Sequence, residues 1–235
     1  MARALRPLGA ATSPSLPMGA TVLVPVGSIE QHGPHLPLDT DTVIATAVAT
    51  EAARLLTLRD LDILVAPALA YGSSGEHQDF PGTSSIGTDM LRQVVVELTR
   101  SMRTWAARVV LVNAHGGNVA ALRGAVRQLS AEGHDVSWVA CATEPPSNAG
   151  ADLHAGRTET SLMLHLAPWH VRLDRAEVGN TGSLEELMPA MIAGGVKAVS
   201  PNGVLGDPTG ASADEGAVVL ASMVGDVVRV VNGAG

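Results

Sequence analysis

The stretch TVLVPVGSIEQHGPHLPLDTDT (Thr21–Thr42) runs from a short apolar segment, through a polar turn broken by prolines, into a segment with helical spacing. Thr21–Val26 is β-branched and continuously apolar, which predicts a strand covered on both faces. From Asp41 to about Leu56, alanines and aliphatics recur at helical spacing, with Asp39 or Thr40 placed to cap the helix. The same alternation continues outward. Ile63–Leu69, Val109–Asn113 and Asp135–Ala142 read as further strands. Thr88–Ala106, about Asn118–Ala131, about Arg157–Leu166, Leu184–Ile192 and Ala211–Asn232 read as helices, and glycine- and serine-rich Tyr71–Gly87 reads as a long loop. Strands alternating with helices predict an α/β fold, a three-layer α/β/α sandwich around a mostly parallel sheet. In such sheets, sites form on the loops beyond the carboxyl ends of the strands. Residues 1–19, interrupted by Pro7, Pro14 and Pro17, are expected to form a loose arm, and residues 20–235 a single domain.

Composition narrows the function. The chain has 235 residues and a net charge of −8, with three Trp, one Tyr and one Phe. An acidic chain so poor in aromatics lacks the basic stripes and stacking platforms of a nucleic-acid binder. The lysine, Lys197, lies outside any glycine-rich loop, which excludes a Walker-type phosphate site. One cysteine, Cys141, excludes a disulfide framework or a Cys-rich zinc site, and its apolar strand predicts an inert core thiol. No run is long and apolar enough for a membrane span, and no export signal is legible, so a cytoplasmic protein is expected. Eight histidines remain to be explained.

Four motifs carry chemistry. In Gly27–Gly33, Glu30 and His32 leave the same face of an extended backbone, a pairing that suits a divalent cation, and Asp41 follows at the start of the helix. Read alone, these are also acceptable loop polars, and Asp39 and Asp41 acceptable caps. Asn113-Ala114-His115-Gly116-Gly117-Asn118 places a histidine at a strand end beside two glycines, with Asn118 able to cap the next helix. Asp152–Ser161 holds His154 in a loop and Glu159 in the first helical turn, where a carboxylate also suits the helix dipole. Gly72–Thr83 is too polar for core, and its Ser73, Ser74 and His77 are candidates to touch substrate, although packing on a neighbouring subunit fits equally. His134, His165 and His170 read as structural or surface residues. No Gly-x-Ser-x-Gly elbow or dinucleotide fingerprint occurs.

Taken together, Val24–Thr42, Gly72–Thr83, NAHGGN (Asn113–Asn118) and HAGRTETS (His154–Ser161) resemble the creatininase family of metal-dependent amidohydrolases. The resemblance implies two divalent ions, Zn²⁺, Fe²⁺ or Mn²⁺, held by Glu30, His32, Asp41 and His115, with Asp41 bridging. Creatinine-cleaving members carry a glutamate ligand where this chain has Gly117, so Glu159 is expected as the fifth ligand. Those members also enclose their small ring with tryptophan, where this chain has Ala149 and Gly150, which favours a larger substrate. The loop Ala70–Gly87 and Gly203–Gly216 resemble a peptidase branch that trims a modified ribosomal precursor peptide near its C-terminus.

On this reading a dimetal-activated hydroxide attacks an amide, His154 protonates the leaving amine as general acid, and the Gly116–Gly117 backbone donates to the substrate. The family also implies a closed homo-oligomer, often a hexamer. Two alternatives stay open. One is another amidohydrolase of the family, acting on a formamide or a cyclic amide. The other is a metal-bound scaffold that binds peptide without turnover.

Overall fold

The computed structural model describes residues 6–142 and 152–233; Ala149 and Gly150 therefore lie outside the described residues. Among the described residues, five parallel strands, β1 (Arg6–Pro7), β2 (Thr21–Val26), β3 (Ile63–Val65), β4 (Arg108–Asn113) and β5 (Val136–Ala140), pair in the order β1-β3-β2-β4-β5. The helices are α1 (Thr40–Thr57), α2 (Thr88–Met102), α3 (Val119–Ala131), α4 (Arg157–Leu166), α5 (Leu184–Gly194) and α6 (Ala213–Val231).

Side-chain alternation makes the three layers. Leu23, Val110 and Val112 point into a core shared with α1, α4 and α6. Their neighbours Val22, Val24, Val109 and Leu111 point the other way, into a core shared with α2 and α3. A smaller cluster of Leu187, Val196 and Leu205 packs α5 against Phe80 of the long loop.

Two expectations need correcting. The described part of the N-terminal arm is fastened rather than loose: Arg6–Pro7 pair with Leu64–Val65, and Leu8 and Leu16 pack against the core. The second strand ends at Val65, short of the predicted Leu69. Leu23 and Pro25 face this strand, and Pro25 has no N–H to give to Ala66 O, so pairing skips one residue after Ala66 N–H meets Leu23 O and resumes where Leu69 N–H meets Pro25 O, each at 2.9 Å. Among the described residues no helix is long and apolar enough to cross a membrane.

The connections position the site. From central β2 the chain passes over one face by α1 to β3, then over the other face by α2 to β4 on the opposite side of β2. The carboxyl ends of β2 and β4 thus flank a topological switch point, where such sheets hold ligands. At Gly27 the end of β2 comes so close to the start of α1 that a Cβ would collide with the Thr42 backbone.

Candidate metal centre

Seven of the singled-out side chains converge just beyond β2 and β4. Glu30 and His32 are fully buried, Asp41 and His115 nearly so, and His77 and His154 close around them. Among the described residues, three sets of ligand atoms lie within cation-binding distance of one another: Glu30–Asp41–His115, His32–His154–Glu159 and Glu30–His77–His154. All five residues expected as ligands fall in these sets.

Asp41 does not cap α1. It turns inward from the first turn, with His32 Nε2 3.1 Å from Oδ1 and His115 Nδ1 3.5 Å from Oδ2. A carboxylate with one imidazole on each oxygen is suited to bridging two ions. Ser28 Oγ–H donates to Oδ2 at 2.6 Å and fixes the group. His32 has a backbone acceptor, Glu30 O, 3.1 Å from Nδ1, which leaves Nε2 for a cation. His115 has Ser73 O 2.9 Å from Nε2, which leaves Nδ1. Pairing one ring nitrogen with a carbonyl is how metal-binding histidines are oriented.

Glu30 gives the clearest sign of fit. Both its carboxylate oxygens are buried without a hydrogen bond among the described residues. Around them stand His115 Nε2 at 3.2 Å, His77 Nε2 at 3.4 Å and His154 Nδ1 at 3.6 Å. A buried carboxylate without donors is costly. A divalent cation held by Glu30 together with Asp41 and His115 removes that cost, and the donor types suit Zn²⁺, Fe²⁺ or Mn²⁺.

The histidines divide electrostatically. Burial opposes a charge on His32, but Asp41, with Glu159 and Glu30, outweighs it and the pKa rises to about 10. Burial likewise opposes a charge on His115, which Glu30 and Asp41 push up to about 10. Burial wins at His77, pushed down to about 4, and holds His154 well below its ordinary value. His154 therefore meets substrate as a neutral imidazole, not as the preformed acid that an ordinary histidine pKa suggests. The Glu30 carboxyl is held low: burial opposes ionisation, but His115, His77 and His154 together overcome it. Burial raises Glu159 to about 7, against the pull of His32.

Glu159 faces His32 Nε2 at 3.9 Å and accepts the Ala155 N–H at 2.6 Å. Ala155 itself sits at φ 51, a left-handed conformation that costs a non-glycine residue about 1–2 kcal/mol. That turn links His154 to α4.

Several residues play parts that their motifs did not reveal. Asn118 makes no side-chain cap bond. Instead its buried amide donates to Gly27 O and Asn113 Oδ1, each at 3.0 Å, and accepts Ser73 N–H at 2.9 Å. Ser73 acts through its backbone, since its hydroxyl pairs with Thr88, and Ser74 Oγ lies 3.5 Å from His115 Nε2. Both serines are buried supports of His115. Glu76 Oε1 lies 3.5 Å from His115 Nε2, in space that a Cβ on Gly117 would enter. Burial raises the Glu76 carboxyl, although His115 pulls it back. Gln31 bridges His77 and Gly203. The glutamate and glutamine stand inside the quoted motifs, but which neighbour each meets depends on segments far away in sequence.

A cleft of about 830 Å³ opens from the centre, lined by His115, Gly116, His154 and Glu159 and, farther out, by Arg157, Asp207 and Glu215. Gly116 has open space beside its α-carbon, whereas Gly117 is covered. Cys141 lies just past β5 and lines this cleft, rather than sitting inside a strand. Burial and then Asp41 push its thiol up to about 12, so it is no nucleophile at neutral pH.

A family model described as "Creatininase: Creatinine amidohydrolase" matches residues 12–231. A "Mycofactocin precursor peptide peptidase" of Mycobacterium ulcerans (strain Agy99) is 56% identical over 226 residues, covering 94% of this chain and 88% of that protein. A solved structure described as "Creatininase Mn" is 26% identical, covers 97% of this chain and 98% of that one, and superposes with a TM-score of 0.76. A creatininase variant described as "Zn-Zn type" is 28% identical over 90% of this chain and 89% of its own, with a TM-score of 0.72.

Proposed function

The chain belongs to the creatininase family, and from that premise we propose that it is a metal-dependent peptidase of mycofactocin biosynthesis. It hydrolyses an amide near the C-terminus of the modified ribosomal precursor peptide and releases the Val-Tyr-derived unit. The observation that carries this reading is the 56% identity to the mycobacterial peptidase across 94% of the chain.

Glu30, Asp41 and His115 would hold one divalent ion, and His32 and Glu159 the other, with Asp41 between them. When bound, such ions would lower the pKa of a coordinated water towards neutrality and would polarise the scissile carbonyl. The remaining chemistry belongs to the chain. His154 donates Nε2–H to Gln31 O at 2.7 Å, which leaves Nδ1 facing the centre. Nδ1 takes the proton of the attacking water and then gives it to the departing amine, so His154 acts first as base and then as acid. Gly116 offers its backbone to the peptide, and the cleft beyond accommodates residues flanking the cut. Ser73 and Ser74 serve substrate indirectly, by setting His115. His77 stands at the carbonyl side.

We read the metal as zinc, iron or manganese. We place the enzyme in the cytoplasm as a closed homo-oligomer; exposed Met18, Trp169, Ile192 and Val218 suit subunit contacts. Size-exclusion chromatography with light scattering tests the assembly; a monomer overturns it. Metal-reconstituted protein is to be incubated with the modified precursor peptide, creatinine and small formamides, and products followed by mass spectrometry. Release of the C-terminal unit is expected. Turnover of only the small amides overturns the peptidase reading, and tight peptide binding without cleavage establishes a scaffold instead.

A further inference from the structure

Gln31 stands between the two groups nearest the proton chemistry. Its side chain is nearly buried. Two backbone groups fix which end of its amide is which: Gly33 N–H donates to Oε1 at 2.8 Å, and Nε2 donates to Gly203 O at 3.0 Å. The second amide hydrogen then points to His77 Nδ1, at 2.8 Å. His77 Nδ1 must accept, and the proton of the neutral ring sits on Nε2, which faces Glu30 Oε1 at 3.4 Å.

His154 is set by the same residue in a different way. Its Nε2–H donates to the Gln31 carbonyl at 2.7 Å. The 3.1 Å approach of Gln31 Nε2 to His154 Nε2 is no hydrogen bond, since both amide hydrogens are spent and both atoms are donors. His154 Nδ1 is therefore bare, and it faces Glu30 Oε1 at 3.6 Å. The rings lie side by side, with centroids 4.4 Å apart.

We propose that Gln31 is a positioning residue that makes its two histidines opposites: both carry hydrogen on Nε2, but His77 turns an N–H towards the centre and His154 turns a lone pair. The consequence is a division of labour. His77 is a hydrogen-bond donor for the substrate carbonyl oxygen and is barred from ligation by its own Nε2 proton, so the Glu30–His77–His154 set takes no ion. His154 is the proton acceptor. Gly203 completes the clamp: it sits at φ 83, and a Cβ there would collide with Gln31 Oε1. The proton-transfer part of this proposal rests on the hydrolase reading above; the tautomers do not.

The test uses the full chain, loaded with Zn²⁺ and labelled with ¹⁵N-histidine, in long-range ¹H–¹⁵N correlation spectra. Wild-type His77 and His154 are expected to show Nε2–H and an unprotonated Nδ1. In Gln31→Glu the carboxylate accepts from His77 instead, so His77 switches to Nδ1–H while His154, held by the backbone, keeps its pattern. Gln31→Met, close in volume and unable to donate, leaves His77 a mixture of both forms and guards against misfolding of the charged variant. On precursor peptide, Gln31→Met lowers kcat by about 10–100-fold, with KM within about threefold and zinc content unchanged. Wild-type His77 with Nδ1–H, or a His77 pattern identical in all three proteins, overturns the proposal. Wild-type protein with the expected tautomers but no cleavage sinks the hydrolase reading and leaves the Gln31 assignment standing.

Discussion

Glu30, His32 and Asp41, from a single uninterrupted stretch of chain, form one wall of the centre with His115 just beyond β4, while His77 and His154 form the other from segments that meet only through folding. The two walls treat the same side chain in opposite ways. His32 and His115, each beside carboxylate oxygens, are pushed up to about 10 despite burial. His77, at about 4, and His154 are driven down by burial, with positive histidines alongside. One wall stores positive charge that a cation displaces; the other keeps neutral rings whose protons are placed by hydrogen bonds. An imidazole's role is thus decided by whether the carboxylates around it outweigh burial, as at His32 and His115, or burial wins and leaves a neutral ring, as at His77 and His154.

The strongest test of that contrast removes the residue on which the first wall depends. Asp41→Ala should lose bound metal and reduce peptide cleavage by more than about 10⁴-fold, measured together by elemental analysis and product assay. Retained activity in this variant would mean that Asp41 bridges nothing. His154→Ala strikes the second wall: two ions should remain while kcat falls by about 10²–10⁴-fold. If metal is lost along with activity, the walls are not chemically separate.

Asn118→Ala probes the joint between them, because its amide ties the end of β2 and the end of β4 to the loop carrying His77. Leaving those buried groups unpaired should cost about 2–4 kcal/mol of unfolding free energy in a urea titration. A change near zero would show that loop and strand ends hold their places independently.

The smallest effect concerns pH. With pKa values of about 10, His32 and His115 each carry an extra proton near neutrality in metal-free protein. Ligation needs that nitrogen bare, so binding releases protons and apparent affinity rises with pH. The gain is about tenfold per pH unit for each proton released, and it levels off above about pH 10. Calorimetry in buffers of differing ionisation enthalpy should find about two protons released; none would erase the electrostatic contrast.

The contrast also explains what was legible in the chain. The strands β2 and β4 and the onset of α1 follow from local patterning, so Glu30, His32, Asp41 and His115 could be placed at strand ends and a helix start before any tertiary contact was known. Glu159 was placed the same way, on the first turn of α4. The exceptions are physical. Pro25 cuts the β2–β3 ladder by removing one donor, which a run of apolar residues conceals. Asn118 occupies a cap position, yet three buried groups compete for its amide and win. Gln31 and Glu76 were in view as letters, but their meaning depends on Gly203 and Gly117, which approach from other parts of the chain.

Gly117 shows what that dependence means for anyone redesigning the site. Position 117 and the carboxylate of Glu76 claim one small volume beside His115. The two positions behave as a single design variable: a side chain restored at 117 demands that residue 76 shrink or swing away, and the backbone at Ser73 must yield as well. Changed alone, position 117 would look intolerant; paired with a smaller residue at 76, it reports what the backbone at Ser73 still refuses.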